Sequence, residues 1–522
     1  MKNITFLIVN ISTSLSSLYF YLLMTKELSQ ITGEETFYQS LGLGLYLLLM
    51  GAGAYFIRPK ELYQDKIKQL IKLEWGTLFT GATAPIMLYL YLYIVTAKGF
   101  YAPVSPQDIS FIPTAIIGLI AVSFIGLFTG AQLPIFLKIG SENKNVILFS
   151  NYFGALLAGP ILNHLIGLQV NLSGLIFFGI FISLSTLFGY LYLSRKFSKI
   201  WITILPIILL FFVGNYTVPL VKSFLGAYYF GLKVNHWHEL KDFNKTVNSV
   251  GEITTIKSPY QDIHLVREKP LKNSLSPGNF TLYLNHKPQF DFMSSPTYHE
   301  SMLFGALNLS QTLPKKVLIL GGGDGILLSY ILRNFPSTDV TLVELDFEVL
   351  NISKEVPALI YLNQGVLNQK DKYNLITEDG FNYIRKSSAV FDAIFIDFPY
   401  PYSDELLSLY SQEFYQVVHR RLAKDGFIVM DFPLTDKLQG EASPLAHRVT
   451  KTLHKSGFKS LLPFGPYSSF IYGEVNQREL KFHYDKMNPN LKLSTTLNLV
   501  SLKHLFKPLE KTLKPISLFY GQ

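Results

Sequence analysis

The fold of the second half of this chain is decided by the stretch Lys316-Val-Leu-Ile-Leu-Gly-Gly-Gly-Asp-Gly325. Its apolar residues predict a buried strand, and its glycines with Asp324 predict a tight turn into a helix over 325–334. A second apolar run ends in Glu344, about 20 residues after the glycines, the spacing of an acid that holds a ribose. In this layout the glycines let the backbone approach an adenosine-type ligand, and Glu344 can accept hydrogen bonds from both ribose hydroxyls.

The residues that follow alternate between predicted strands and predicted helices, which indicates a parallel, doubly wound α/β sheet of the Rossmann-like, methyltransferase type. Strands are predicted near 316–320, 339–344, 373–377, 391–397 and 426–432, and helices near 325–334, 347–354, 380–387, 404–423 and 441–456. Two later strands, near 458–463 and 469–474, predict an antiparallel edge.

Four acids stand at or just after the ends of these predicted strands: Asp324, Glu344, Asp379 and Asp397. Ligands of doubly wound sheets bind beyond the carboxyl ends of the strands, so we expect the four side chains to converge on one site. Structural alternatives exist, since Asp324 and Asp379 also suit the N-cap of the following helix, and Asp397 suits a turn before Pro399.

A small β-sheet module is predicted upstream of the α/β region, because apolar and polar residues alternate there. Its strands are Glu252–Lys257, Asp262–Glu268 and Phe280–Leu284, with turns at Ser258-Pro259 and Ser276-Pro277-Gly278. The predicted domains are a helical domain at 1–220, an amphipathic connector at 221–247, the β-module at 248–300, the α/β domain at 301–480 and a basic tail at 481–522.

The first 220 residues contain most of the apolar excess of a chain that is 49% hydrophobic, with a mean hydropathy of +0.26. Seven apolar segments follow one another, near 4–24, 38–57, 77–97, 111–137, 146–167, 173–193 and 201–220. About 20 apolar residues in a helix cross a bilayer core, so the pattern predicts a multi-span membrane domain. The alternative is a large buried helical core, but seven such segments in a row are hard to bury in a soluble domain.

Basic residues concentrate in alternate loops, at 58–74, 138–145 and 194–200, which places these loops and the N-terminus in the cytoplasm. Seven complete crossings would then put the C-terminal half outside, although adenosine-type sulfonium donors are made and kept in the cytoplasm. The last segment, interrupted by Pro206 and Pro219, is the weakest candidate for a complete crossing. We therefore expect the ligand site to face the cytoplasm.

The chain has no cysteine, which excludes disulfides, cysteine zinc sites and thiol nucleophiles. Its net charge of +9 suits a surface beside anionic lipid, and its scattered lysines match no nucleic-acid motif. We therefore expect the lipid bilayer as a partner and no nucleic acid. The oligomeric state stays open, with a homo-oligomer among the alternatives.

An ordered set of short motifs resembles the aminopropyltransferase family, the spermidine synthases, over about 250–475. The motifs are Ser258-Pro-Tyr-Gln261, Gln289 with Asp291, Tyr298-His299-Glu300, Gly321-Gly-Gly-Asp-Gly325, Val343-Glu-Leu-Asp346, Asp379-Gly380 and Phe391-Asp-Ala-Ile-Phe-Ile-Asp397. With its helical half, the chain looks like a membrane-anchored branch of that family. Asn151-Tyr-Phe-Gly-Ala155 resembles a recurring element of the branch, although an acid is usual where Asn151 stands.

The resemblance implies transfer of an aminopropyl group from decarboxylated S-adenosylmethionine to putrescine or a related amine, giving spermidine and methylthioadenosine. The sulfonium is a co-substrate, and the resemblance implies neither a permanently bound cofactor nor a metal. The family pattern makes Asp397 the proton acceptor and assigns the donor to Gln261, Gly321, Gly323, Glu344, Asp379 and Gly380. It assigns the amine-bearing chains to His299 and Asp324, and we expect Gln289, Tyr298 and Tyr400 to contact the amine as well.

A carboxylate such as Asp397 also suits this reaction on chemical grounds. An aliphatic amine is an ammonium ion at neutral pH, with a pKa of about 10, and must lose a proton before or during attack. A carboxylate within hydrogen-bond reach can accept that proton. The sulfonium carbon is already activated, so what remains is alignment of the amine nitrogen, the carbon and the sulfur.

Tyr400 departs from the family pattern, which usually has an acid three residues after the proton acceptor to bind the distal amine. A tyrosine hydroxyl and ring can contact a cation but lack the charge, so the diamine and its length stay open. The family's late substrate-binding tyrosine matches either Tyr467 or Tyr472. Residues 399–412 predict either a lid over the site or an ordinary loop.

Two other functions stay open from the sequence. A methyltransferase that uses S-adenosylmethionine fits the same sheet; Tyr400 favours it, whereas Gln261 and the β-module oppose it. A transporter or sensor whose second half only binds a nucleoside or polyamine also fits, although few charged residues lie within the apolar segments.

Overall fold

The computed structural model divides the chain into two compact units. The first comprises Met1–Gly278 with Tyr283–Lys287, and the second comprises Asn279–Leu282 with Pro288–Gln522. The residues that the structure describes are 2–32, 35–99, 111–194, 204–270, 279–310, 313–399, 401, 404–432, 443–465, 470–483, 499–502 and 514–518.

Among the described residues of the first unit, seven helices are long and apolar enough to cross a membrane. Their bounds are α1 Lys2–Thr32, α2 Glu35–Phe56, α3 Tyr63–Ala97, α4 Phe111–Ile139, α5 Lys144–Gly167, α6 Leu172–Ser194 and α7 Ile204–Tyr229. Each of the seven predicted apolar segments therefore corresponds to a helix, and their length and composition indicate membrane association.

The helix α7 extends beyond its predicted segment and takes in the first part of the predicted connector at 221–247. Pro219 lies inside α7 without ending it, and the part of α7 that is long and apolar enough to cross a membrane runs from Ile207 to Tyr229. The helix ends close to Gly231, which has a φ of +60°, a left-handed conformation that glycine adopts without strain. The end of α7 is therefore marked by Gly231 and not by Pro219.

A short helix, α8 (Phe243–Val250), completes the connector and leads into the small β-sheet. The strands are β1 Gly251–Lys257, β2 Asp262–Glu268, β3 Phe280–Leu284 and β4 Lys287–Asp291, in the order β1-β2-β3-β4. The first three correspond to predicted strands. The fourth was not predicted, because its turn is made by Asn285 and His286, both at positive φ, without the glycine that usually signals a two-residue hairpin.

Buried ion pairs and a hydrogen bond connect the β1–β2 hairpin to α1. Lys257 Nζ lies 3.1 Å from Asp262 Oδ2 and 3.7 Å from Glu27 Oε1 of α1. Gln30 of α1 donates a hydrogen bond to Asp262 Oδ1 at 3.1 Å. All four side chains are buried, so each charge depends on these partners in place of water.

The second unit contains an eight-stranded sheet with helices around it. The strands are β5 Lys316–Gly321, β6 Asp339–Glu344, β7 Asn374–Thr377, β8 Phe391–Asp397, β9 Leu422–Asp431, β10 Ser460–Gly465, β11 Phe470–Glu474 and β12 Val500–Ser501. The helices are α9 Ser295–Leu309, α10 Ile326–Asn334, α11 Phe347–Glu355, α12 Pro357–Asn363, α13 Gly380–Lys386, α14 Asp404–Leu407, α15 Gln412–Arg420 and α16 Pro444–Lys455.

The strand order of this sheet is β12-β10-β11-β9-β8-β5-β6-β7. Strands β5 to β9 are parallel, whereas β10, β11 and β12 are antiparallel to their neighbours, which confirms the predicted doubly wound sheet with an antiparallel edge. The chain order reverses between β5 and β8, which pair directly although β6 and β7 lie between them in sequence. Such a reversal opens a ligand crevice at the carboxyl ends of the two strands.

Apolar side chains cover both faces of this sheet. In β5, Val317 and Ile319 belong to one buried cluster, and Leu318 and Leu320 belong to the other. Successive strand residues point to opposite faces, so a continuous apolar strand is what a sheet with helices on both sides requires.

The predicted helix at 404–423 is divided into two shorter helices, α14 and α15, separated by a 3₁₀ turn at Ser408–Tyr410. Ser411 causes the break, because its side chain accepts a hydrogen bond from the Phe414 N–H and caps α15. The prediction also missed that β9 begins at Leu422, and it did not include α9 or α12.

Candidate active site

The site is organised where β5 and β8 end side by side. Gly321 pairs with Asp397 across the two strands and has a φ of +81°. A Cβ atom on Gly321 would lie 2.1 Å from the Asp397 carbonyl oxygen, so only glycine permits this approach. Gly322 follows at a φ of +71° and passes beside the Asp397 carboxylate. The glycine turn predicted from the sequence therefore brings the backbone directly against the predicted proton acceptor.

Glu344 ends β6 next to the same glycine turn. Its Oε2 accepts the Gly323 N–H at 3.0 Å, and its Oε1 accepts the Asp346 N–H at 2.9 Å. A Cβ atom on Gly323 would lie 2.6 Å from Oε2, so this contact also requires glycine. Burial raises the pKa of Glu344 to about 7, and the nearby charge of Asp346 adds to the increase. The carboxylate is thus held in one orientation, with lone pairs left for a ligand.

His299 of α9 lies between two of the predicted acids. Its Nδ1 is 2.8 Å from the Ser295 carbonyl oxygen, and its Nε2 is 3.5 Å from Asp324 Oδ2 and 3.8 Å from Asp397 Oδ2. Burial alone would lower the pKa of this imidazole, but the carboxylates of Asp324 and Asp397 outweigh burial and raise it to about 10. The two carboxylates therefore favour the protonated form of His299, and its Nδ1–H donates a hydrogen bond to the helix backbone.

Tyr298 contacts the other oxygen of the same carboxylate. Its hydroxyl donates to Asp397 Oδ1 at 3.1 Å, and its ring packs on Phe470 with the centroids 5.0 Å apart. Burial and the charge of Asp397 raise the pKa of Tyr298 well above its usual value, so it remains a donor. Asp397 is therefore oriented by the Tyr298 hydroxyl at one oxygen and faced by the His299 ring at the other.

Asp431 is a further acid of this site that the sequence analysis missed. It ends β9, and because Ile396 of β8 pairs with Met430 of β9, Asp431 follows in register beside Asp397. Its Oδ1 accepts the Phe432 N–H at 2.8 Å, and the ion pairs among the described residues do not include it. Burial raises the pKa of Asp431 to about 7, and the charge of Asp397 contributes. Its position could have been found, since it ends a strand as the other acids do, but the predicted strand continued to residue 432.

The N-cap predicted as an alternative role is present for Asp379 but not for Asp324, because Gly325 is the N-cap of α10. Asp324 Oδ1 still accepts the Ile326 N–H at 2.8 Å in the turn before α10, while its Oδ2 faces His299. Asp379 accepts the Asn382 N–H at 2.8 Å and caps α13. Gly380 is buried next to Phe398. The contact of Asp379 and Gly380 with adenine stays a prediction.

The predicted binding roles of several other residues are not tested by the contacts around Asp397 and Glu344. Gln261 lies in the first unit, in the turn between β1 and β2, and Gln289 lies half-buried in β4. Tyr400 and Tyr467 lie outside the described residues. Tyr472 is fully buried in β11, with its hydroxyl bonded to Glu474 and its ring stacked on Phe427.

Three of these groups together can hold a cation. One ligand atom each from His299, Asp324 and Asp397 lies within 4.8 Å of the others. Two carboxylates and an imidazole suit a divalent metal ion, and the carboxylates equally suit an ammonium group. The expectation of a metal-free site therefore stays a prediction.

Comparison with known proteins gives consistent matches. The spermine/spermidine synthase domain family matches residues 296–458. A polyamine aminopropyltransferase of Leptospira interrogans is 28% identical over 471 residues, which are 88% of this chain and 84% of that protein. Polyamine aminopropyltransferase 1 of Streptomyces coelicolor is 37% identical over 171 residues, 33% of this chain and 31% of the relative. Because the first match covers 88% of this chain, it extends into the helical half.

Among solved structures, the spermidine synthase of Thermotoga maritima is 24% identical, with a TM-score of 0.36, and the match covers 47% of this chain and 79% of that one. A spermidine synthase in complex with the transition-state analogue AdoDATO is 22% identical, with the same TM-score, and covers 47% of this chain and 80% of that one.

Proposed function

Since this chain is a transferase, a homologue of polyamine aminopropyltransferases with a spermine/spermidine synthase domain, we propose that it transfers an aminopropyl group from decarboxylated S-adenosylmethionine to an aliphatic diamine such as putrescine. The products are methylthioadenosine and a longer polyamine, spermidine where putrescine is the acceptor. Neither substrate is fixed by the likeness to relatives, so both belong to the proposal.

The position of Asp397 is the observation that supports this function best. Its carboxylate lies beside the glycine turn where a nucleoside sulfonium would bind, and Tyr298 holds one of its oxygens. In the proposed step the amine nitrogen forms a bond to the aminopropyl carbon while the carbon–sulfur bond breaks. The electron pair of that bond stays on sulfur as a neutral thioether, and the amine proton goes to Asp397.

The donor's binding determinants are proposed to lie along the same edge. Glu344, fixed by the Gly323 and Asp346 N–H groups, would accept both ribose hydroxyls. Gly321 and Gly323 would let the backbone approach the nucleoside, and Asp379 with Gly380 would contact the adenine. Gln261 is proposed to contact the nucleoside as well. The sulfonium serves as co-substrate, and the proposal requires no permanently bound cofactor.

The amine is proposed to bind among the remaining acids. The amine-bearing chains of the substrates would contact His299, Asp324, Tyr298 and Gln289. Tyr400 would contact the distal end of the diamine through its ring and hydroxyl. Asp431 adds a charge that the sequence analysis found missing at Tyr400. The carboxylate of Asp431 lies beside Asp397 and attracts positive charge. We therefore expect the amine substrate to carry a second ammonium group, which makes diamines the preferred class.

Product analysis tests the reaction directly. The full-length protein is supplied with decarboxylated S-adenosylmethionine or S-adenosylmethionine and a panel of mono- and diamines, and the nucleoside product is identified by mass spectrometry. Methylthioadenosine with an extended polyamine is expected from the first donor. Release of S-adenosylhomocysteine from the second donor alone would replace this function by methyl transfer.

The pH dependence of kcat/KM for the diamine should reflect the protonation of the Asp431 carboxyl group. At saturating donor, kcat/KM for the diamine is expected to rise as the pH rises through about 7, because Asp431 attracts the distal ammonium only when its carboxyl is deprotonated. Substitution Asp431→Asn should lower kcat/KM for the diamine about tenfold above neutral pH and remove this rise, the loss expected for one hydrogen bond to a charged group. The matched substitution at exposed Asp371 should leave the profile unchanged. An unaltered profile in Asp431→Asn would exclude this role.

The catalytic half is proposed to face the cytoplasm, where the sulfonium donor is made. The seven candidate spans and the basic loops leave this side undecided, since an odd number of crossings from a cytoplasmic N-terminus ends outside. The absence of cysteine allows a clean test with Lys370→Cys, an exposed position of the second unit. A membrane-impermeant maleimide should label it only after the cells are permeabilised, and labelling of intact cells would place this half outside.

A further inference from the structure

Polar side chains run along the buried face of α1 for most of its length. The fully or almost fully buried ones are Asn10, Thr13, Ser14, Ser16, Ser17, Thr25, Glu27, Ser29 and Gln30. Twenty residues of helix span about 30 Å, so this face extends across the thickness of a bilayer core. Because α1 packs against α2, α3, α4, α5 and α6, the polar face lies inside the bundle and away from lipid.

The neighbouring helices supply polar partners to this face at several levels. Asn10 donates to Ser150 of α5 at 2.6 Å, and Thr13 bonds to Tyr190 of α6 at 2.7 Å. Thr129 of α4 donates to Ser17 at 2.7 Å. Hydroxyl and amide partners of this kind satisfy a polar face inside a bundle without requiring any ligand.

Glu74 of α3 is different, because it brings a carboxyl group into the same polar face. It is 0% exposed, and its Oε1 accepts from Ser16 at 3.0 Å while its Oε2 accepts from Gln132 of α4 at 3.2 Å. The ion pairs formed by the described residues do not include Glu74. An acid within a membrane helix is costly unless it is neutralised, which makes it a functional-site hypothesis.

Gln132 leaves one polar atom of this arrangement without a hydrogen-bond partner among the described residues. Its Nε2 bonds to Glu74, but its Oε1 is buried and has no hydrogen-bond partner among the described residues. A proton on Glu74 therefore cannot satisfy both side chains, whereas a group with several donors and a positive charge can.

We propose that Glu74 and Gln132 form a binding site for the primary ammonium group of an aliphatic amine inside the helical bundle. An ammonium has three donors, which match a carboxylate oxygen of Glu74, the free Oε1 of Gln132 and a serine hydroxyl such as that of Ser183, which bonds to Ser16 at 2.9 Å. This rests on the proposed function only for the choice of an aliphatic diamine as probe. The bundle then binds the same class of molecule that the second unit acts on, beyond anchoring it.

The test is the number of amines that each chain binds. Full-length protein in lipid nanodiscs is titrated with radiolabelled putrescine at neutral pH by equilibrium dialysis. The wild type is expected to bind two per chain, and Glu74→Gln one. The control Glu61→Gln removes an exposed glutamate that pairs with Lys138 and should bind two. Equal binding by the wild type and both variants would overturn the proposal, leaving only water or a proton at Glu74.

A second variant covers the case in which Glu74→Gln does not fold. Gln132→Met keeps a side chain of similar length and removes the unpartnered oxygen, and it should weaken the bundle site at least tenfold. Unchanged affinity at both sites would overturn the proposal. Failure of the proposed function is detected separately, as absence of methylthioadenosine release by the wild type. In that case the wild type should still lose one bound amine when Glu74 is replaced.

Discussion

Replacement of Asp397 by asparagine is expected to lower kcat by about 10²–10⁴-fold, the contribution typical of a general base. The amide can still accept the Tyr298 hydroxyl at Oδ1, so the local geometry can persist, but it cannot take the amine proton. The ammonium form of the substrate has no lone pair with which to attack. Nucleoside binding should survive, because the Gly323 and Glu344 contacts lie on the other side of the glycine turn. Turnover is measured as methylthioadenosine release, and nucleoside binding by calorimetry.

The control for Asp397→Asn is the same change at Asp371, an exposed acid, which should retain wild-type turnover. Retained turnover in Asp397→Asn would remove the assigned role and leave the carboxylates of Asp324 and Asp431 as the proton acceptors to consider. Loss of both turnover and nucleoside binding would instead indicate that the Asp397 carboxylate supports the glycine turn, because its Oδ2 lies beside Gly322.

Replacement of Glu344 by glutamine is expected to lower kcat/KM for the sulfonium donor by about 10²-fold or more. The two proposed hydrogen bonds from the ribose hydroxyls would lose their charged acceptor, and hydrogen bonds to charged groups contribute about 1.5–3 kcal/mol each. The glutamine amino group also cannot accept the N–H of Gly323 or of Asp346, so one of these contacts is lost. The effect should appear mainly as a higher KM for the donor, with a smaller change in KM for the amine.

In the wild type, the protonation of Glu344 should also appear in the pH dependence of kcat/KM for the sulfonium donor. Since burial raises the pKa of Glu344 to about 7, kcat/KM for the donor should rise as the pH rises through about 7. The variant Glu344→Gln should lack this rise, and Glu355→Gln, at an exposed helix end, should keep it. If Glu344→Gln raised KM for the amine and left the donor unaffected, the ribose assignment would be wrong.

The part of the site that the sequence predicted best is local in the chain. Gly321, Gly323 and Glu344 belong to one strand–turn–helix–strand unit, in which the spacing along the chain fixes the distances in space. The same holds for β5 to β9, because alternating strands and helices leave few topologies for a parallel sheet. The element boundaries were less predictable, as at α7, where Pro219 was tolerated inside a helix.

The site residues that were not predicted from the sequence reach the site through pairing or packing between elements that are distant in the chain. Asp431 enters the site because β9 pairs with β8 so that Met430 lies opposite Ile396, and no pattern within either strand specifies that alignment. Its predicted strand ended one residue later, which put this acid inside a strand. In the bundle, Glu74 falls in the predicted loop at 58–74, whereas the structure places it inside α3, and its contact with Gln132 depends on how α3 packs on α4.

From the sequence alone came the seven apolar helices, the alternating α/β half and the acids at its strand ends, because hydrophobic period and glycine spacing act over short stretches of chain. Only the folded structure decided that His299 lies between Asp324 and Asp397, and that Tyr298 donates to Asp397. These residues come from α9, from the glycine turn and from β8, and the packing of a helix against a sheet edge sets the distances between them. The charge of His299 follows from that packing as well, since burial and two carboxylates act on its pKa in opposite directions.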